Sequence, residues 1–230
     1  MLIAILLGSL VGLSLGLTGG GGSIFAVPLL VYGLDLNFRE AVALSLAIVG
    51  TTALYGASLQ ARRGAVLWGA GAVLGLGGVF SAPLGSYIGR QLPDKLSIIL
   101  FSVLMFVIGI QMIRGRVEKP SSPLACEKNA KGEVKFSWSC AARLFLTGNI
   151  TGLLSGVFGV GGGFLLVPAL LMVGGISIDS AMATSLVSIT LISVSGFLSN
   201  LTALTSDSLL RALLFLVGAL MGMTAGASFK

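Results

Sequence analysis

Two short glycine runs are the places where this chain is most open to chemistry: Gly19-Gly20-Gly21-Gly22, followed by Ser23, and Gly159-Val160-Gly161-Gly162-Gly163. In each, a proline stands six residues after the last shared glycine, at Pro28 and Pro168. Glycine lacks the Cβ that would keep a ligand away from backbone N–H groups, and it permits backbone angles that end a helix. A short helix starting just after Gly22 or Gly162 would turn unpaired amides and a positive dipole end toward whatever lies ahead. Such ends attract anions without a buried Lys or Arg. The competing reading is close helix packing through small residues. Duplication of the run, with a proline each time, favours the site.

Hydroxyls come next. Ser45 and Ser185 sit 140 residues apart at one repeat position, and Thr51, Thr52, Ser188 and Thr190 follow one to two turns later. Hydroxyls at membrane depth can donate to the oxygens of an anion, or bond to the carbonyl four residues back in their own helix. The expected substrate set is therefore Gly19–Gly22, Ser23, Ser45, Thr52, Gly159, Gly161–Gly163, Ser185 and Ser188, with Pro28 and Pro168 shaping the half-helices. Asn149, with Thr147 and Thr151, is as well read as helix-to-helix glue. Gln60 and Asn200 correspond, but lie near the ends of apolar stretches, where polar residues are ordinary.

Other chemistries are excluded or weak. The chain has no His, which removes His-based acid-base catalysis, Ser-His-Asp triads and His-ligated zinc. Asp35, Glu40, Asp94, Asp179 and Asp207 all stand at the ends of apolar stretches, so no carboxylate is offered to a proton relay at the midplane. Gly159-Val160-Gly161 opens like a dinucleotide fingerprint, but Phe164 replaces the third glycine and no Lys follows as in a phosphate loop. Cys126 and Cys140 flank a polar stretch and are read as two free thiols, a disulfide being sensible only if their loop lies outside. No metal, cofactor or nucleic acid is implied.

These residues must be held by elements suited to lipid. The chain of 230 residues is 55% apolar and only 10% charged, with a mean hydropathy of +1.04. A soluble domain carries about 25% charged residues, so the bilayer is the solvent. Seven uncharged stretches, of 34, 21, 26, 18, 35, 27 and 18 residues, divide the chain. A membrane helix needs about 20 residues; five stretches read as single spans, and the first and fifth are too long and must break at their glycines. The expected architecture is an all-α polytopic membrane protein of about seven spans, with no cleavable signal peptide.

Sliding the chain by 140 residues pairs Gly12 with Gly152, Gly16 with Gly156, Gly19 with Gly159, Pro28 with Pro168, Ala41 with Ala181, Ser45 with Ser185 and Gly56 with Gly196. One inserted residue then pairs Gly77, Ser81 and Gly85 with Gly218, Gly222 and Gly226. The first repeat occupies 1–114, with its broken segment at 1–34 and helices at 38–61, 64–89 and 94–114. A polar loop covers 115–142. The second repeat occupies 143–230, with its broken segment at 143–178 and helices at 179–206 and 208–229; the first repeat's last helix has no counterpart in it. The Gly77/Ser81/Gly85 face reads as a tight seam, offered to a partner helix in a homo-oligomer. The positive-inside rule makes the Arg114–Arg143 loop cytoplasmic whether the broken segments cross or return. Re-entrant hairpins, giving inverted repeats, are preferred because non-helical backbone at membrane depth needs protein around it.

The pattern of Gly-rich tract, small apolar block and Pro-Leu in Gly19–Leu30 and Gly159–Leu170 resembles the TauE/SafE family of sulfite-exporter-type membrane transporters, and Ala41–Ser45 and Ala181–Ser185 resemble that family's next helix. The resemblance implies a multi-pass carrier of the prokaryotic inner membrane for sulfite, sulfonates or related small anions. Alternating access would come from one repeat moving against the other. The rival readings are a thiol-redox membrane protein using Cys126 and Cys140, and a non-transporting assembly subunit.

Overall fold

The structure, a computed structural model, describes residues 2–113, 138–171, 176–201 and 206–228. Cys126, expected to be a free thiol, and most of the polar loop at 115–142 lie outside them. Nine helical elements are described: α1 (Leu2–Thr18), α2 (Gly21–Gly33), α3 (Phe38–Arg62), α4 (Trp68–Gln91), α5 (Asp94–Ile113), α6 (Trp138–Phe158), α7 (Gly163–Ala169), α8 (Ile178–Ser199) and α9 (Ser206–Ser228). By length and composition, α3, α4, α6, α8 and the Arg211–Ser228 part of α9 are able to cross a membrane. The long first and fifth stretches break where expected, after Thr18 and after Phe158.

Helix directions follow from neighbouring residues. Gly8 lies against Phe215, Gly12 against Ala219 and Gly16 against Gly226, so α1 and α9 run parallel. Gly77 lies against Phe145 and Gly85 against Leu153, so α4 and α6 also run parallel. Leu46 meets Gly196, Gly50 meets Ser193 and Gly56 meets Leu186, so α3 and α8 are antiparallel. Gly56 also meets Met223, and Arg63 donates to the Ala227 carbonyl, which sets α3 parallel to α9. In α2, Gly22 lies against Leu15 and Gly33 against Leu7, so α2 runs back along α1. The first broken segment is therefore a re-entrant hairpin, and α1, α3 and α9 oppose α4, α6 and α8. The repeats are inverted.

Pro28 and Pro168 sit inside α2 and α7, not at their starts. A mid-helix proline removes an amide donor and pushes against the carbonyl four residues back. The backbone answers with wider π-type turns, at Leu29–Gly33 and at 170–171.

The seam expectation is half corrected. The Gly77, Ser81 and Gly85 face is a close-packing seam, but its occupant is α6 of the same chain, with Gly148, Gly152 and Gly156 on the facing side. It is thus not free to join a second copy. The matching face of α9 (Gly218, Gly222, Gly226) receives α1 through Ile5, Ser9 and Leu13. Each repeat's small-residue helix is thereby seamed to the other repeat's first helix. The thiol expectation is also corrected: Cys140, only 3% exposed in the first turn of α6, is disulfide-bonded. Pairing depends on approach in space, which sequence separation does not report.

Candidate functional site

The two glycine turns touch. A Cβ built on Gly20 would lie 2.7 Å from the Gly163 carbonyl oxygen, and one on Gly163 would lie 2.6 Å from the Gly20 oxygen. Only residues without side chains let two backbones approach so closely. Gly19, Gly159, Gly161 and Gly162 all have φ near +70°, a left-handed conformation that costs other residues about 1–2 kcal/mol. The antiparallel helices α3 and α8 flank the crossing.

Ser45 and Ser185 hold this crossing together across the repeats. Ser45 Oγ donates to the Gly159 carbonyl, and Ser185 Oγ donates to the Gly19 carbonyl at 2.6 Å. Each shares its hydrogen with the carbonyl three residues back in its own helix, Val42 and Met182, at 2.8 Å. Neither hydroxyl hydrogen is available to a ligand in this conformation. Ser45→Ala or Ser185→Ala leaves a buried carbonyl without its donor and is expected to cost about 1–3 kcal/mol each. Melting temperatures of the purified variants check this, and the two losses should add because the pairs share no atoms.

The remaining expected residues divide plainly. Ser23 caps its own turn, donating to Gly20 O at 2.8 Å. Thr52 and Thr190 bond to their own helices, at Ile48 O and Leu186 O, as does Asn149 at Phe145 O. Ser188 ties α8 to α4 through Gly71 O at 2.9 Å. Gly22 packs against the α1 backbone at Leu15.

Two residues absent from the expected set stand out at the second turn. Ser155 on α6 and Ser193 on α8 are 1% and 0% exposed, and neither Oγ has a hydrogen-bond partner. Ser193 Oγ lies 3.2 Å from where a Cβ of Gly161 would stand, and Ser155 lies beside Gly162. The amides of Val160, Gly161 and Gly162 have no hydrogen-bond partner among the described residues. A buried polar group left alone costs about 1–3 kcal/mol, so the two hydroxyls and the amides of this turn are left short of hydrogen-bond partners. The repeat does not single them out: the positions equivalent to Ser155 and Ser193 are Leu15 and Ala53. Between α3 and α8, Ser193 also borders a largely apolar hollow of about 130 Å³ lined by Leu46, Leu54, Val194 and Phe197 together with Gly50, Thr51 and Thr190.

A second, more polar cavity of about 180 Å³ lies at the face where α3 begins and α4 and α8 end. Phe38, Arg39, Ser86, Arg90, Gly156 and Asn200 line it, and Val42 stands between it and the second glycine turn. Asn200, a span-end position in the sequence, is buried here and donates to Ser86 Oγ at 2.8 Å.

With this geometry described, comparison with known proteins gives a consistent result. The family described as sulfite exporter TauE/SafE matches residues 4–230. A probable membrane transporter protein of Xylella fastidiosa (strain 9a5c) is 35% identical over 190 residues, covering 82% of this chain and 69% of that protein. The probable membrane transporter protein YdhB of Bacillus subtilis (strain 168) is 27% identical, over 99% of this chain and 89% of its own length. The probable membrane transporter protein MJ0441 of Methanocaldococcus jannaschii is 29% identical over 88% of this chain and 73% of its own. No solved structure matches.

Proposed function

Because this chain belongs to the TauE/SafE family of membrane transporters, we propose that it carries a small oxyanion, sulfite, a sulfonate or a close relative, and binds it at the second glycine turn. It is a multi-pass membrane protein and a transporter, not an enzyme. The observation that carries the substrate reading is the set of unpartnered groups at Ser155, Ser193 and the Gly161–Gly162 amides. An amide N–H has a hydrogen to give and no lone pair, so it suits an anion and offers a cation nothing. The family's printed description, sulfite exporter, supports the same class.

In this reading Gly161–Gly163 surround the ion, while Gly19–Gly22 form the surface against which the second turn closes. Ser45 and Ser185 act as pins on the two turns. The moving bodies are not the two repeats, because the α1–α9 and α4–α6 seams bind each repeat to the other. They are two mixed halves, α1, α2, α3 and α9 against α4, α6, α7 and α8, hinged where α3 crosses α8.

Ser193→Ala and Ser155→Ala test the reading because stability and function should move in opposite directions. Removing an unsatisfied buried hydroxyl is expected to leave the melting temperature unchanged or raised. Sulfite flux into proteoliposomes is expected to fall about tenfold for each, the loss of one hydrogen bond to a charged ligand. Undiminished flux in both variants refutes the site.

A further inference from the structure

We propose that the recess between Arg39 and Arg90 is a separate docking site for the oxyanion at the face opposite the α5–α6 loop; this rests on the oxyanion reading above. Three observations support it. The recess is concave and about 180 Å³, below the roughly 300–1,000 Å³ typical of sites for drug-sized ligands, so its scale suits an ion of a few atoms. Its rim carries two guanidinium groups and its floor is polar. Arg90 has no acidic partner among the described residues, and Arg39 pairs with Asp94 at 3.4 Å through side chains that are 53% and 55% exposed. An ion pair that open to solvent is weak and readily exchanged. On the floor, Ser86 is 1% and Asn200 4% exposed. Ser86 spends its hydrogen on a long 3.4 Å bond to the Gly156 carbonyl, which a charged acceptor would outcompete.

The inverted repeat supplies the argument against simple span-end snorkelling. If the fold itself required these groups, the second copy would carry them. Instead Arg39 corresponds to Asp179, Ser86 to Ala227, Asn200 to Gln60 and Val42 to Met182. The combination of Arg39, Ser86 and Asn200 is therefore not repeated at the other face, where Arg63 meets the Ala227 carbonyl. Its inner end is placed for transfer: Val42 lines it, and a Cβ on Gly159 would lie 2.6 Å from Val42 Cα. An ion held between the arginines is one side chain away from the second glycine turn. A lipid phosphate shares the chemistry of a compact oxyanion, but the recess runs inward along Gly156 and Val42, which suits a soluble ion.

The test titrates sulfite into the purified full chain in phospholipid-free detergent by calorimetry, and measures sulfite flux in proteoliposomes alongside. Arg39→Gln and Arg90→Gln are each expected to weaken binding about tenfold, and to raise the sulfite concentration for half-maximal flux while leaving the maximal rate near that of the wild type. Arg90→Lys should retain most of the binding, and gel filtration confirms that each variant is folded. Wild-type protein that binds sulfite through these arginines without moving it overturns the carriage reading and leaves the docking site standing. Binding that is absent in the wild type, or unchanged in both glutamine variants, overturns the docking site.

Discussion

Alanine in place of Gly152 or Gly12 is expected to destabilise the fold strongly. A Cβ on Gly152 would overlap the backbone of Gly78 and lie 2.5 Å from Ser81 Oγ; one on Gly12 would overlap the carbonyl of Ala219. The obstruction is backbone in both cases, so no rotamer change relieves it and whole helices must separate. Separation would loosen the α4–α6 or α1–α9 seam along its length, since neighbouring glycines are equally close-fitted. The cost should be about 3 kcal/mol or more, the upper end for overpacking, against a total stability of roughly 5–15 kcal/mol. Gly109 on α5 is the control, because nothing lies within 4 Å of its added Cβ. Gly109→Ala should be neutral or gain up to about 1 kcal/mol from helix propensity. Gel filtration and thermal melting in detergent read the outcome, and Gly152→Ala protein that melts where the wild type does would contradict the seam.

Gly161→Ala should abolish most transport while leaving more of the fold intact. Its φ of +67° strains any side chain, and the new methyl would lie 2.7 Å from Val49 Cγ1 and 3.2 Å from Ser193 Oγ. Those neighbours are side chains that can yield, so the penalty is local. The methyl nevertheless crowds the Ser193 hydroxyl, where the ion is proposed to bind. Loss of two charge-assisted hydrogen bonds corresponds to about a hundredfold fall in sulfite flux. Adding Ser193→Ala should then change little, because both substitutions remove the same contact. Gly64 separates strain from site: its φ is also +70°, but nothing lies within 4 Å of an added Cβ. Gly64→Ala should cost stability and leave flux unaltered. Equal flux losses at Gly64 and Gly161 would mean that strain, not ligand contact, is being read.

Several features are legible in the sequence. The stretches at 1–34 and 143–178 exceed a membrane span, and only their glycine runs could release the chain from helical geometry; the helices do stop at Thr18 and Phe158. The four-residue spacing of Gly77, Ser81 and Gly85 identified a close-packing face. That spacing is intrinsic to one helix and says nothing about the neighbour, so the same stripe fitted a second copy as well as α6. The pairing of Ser45 with Ser185 marked them as special, but not that each reaches the opposite glycine turn. Ser155 and Ser193 gave no signal at all. A serine in a membrane helix ordinarily satisfies its hydrogen with a carbonyl in its own helix, and only side-chain placement distinguishes the two that do not.

From residue order alone came everything that depends on short-range geometry: lipid as the solvent, where the helices must break, the doubled unit and the family. These rest on apolar length, glycine's freedom and period, which neighbouring residues specify among themselves. The fold in three dimensions decided that the repeats interlock through exchanged helices, that the serines pin carbonyls, and that unpaired donors gather at one turn while paired arginines gather at one face. The reason is that hydrogen-bond satisfaction and the identity of a packing partner belong to pairs of residues far apart in sequence, such as Ser185 and Gly19 or Gly8 and Phe215, and no local pattern encodes which such pair will meet.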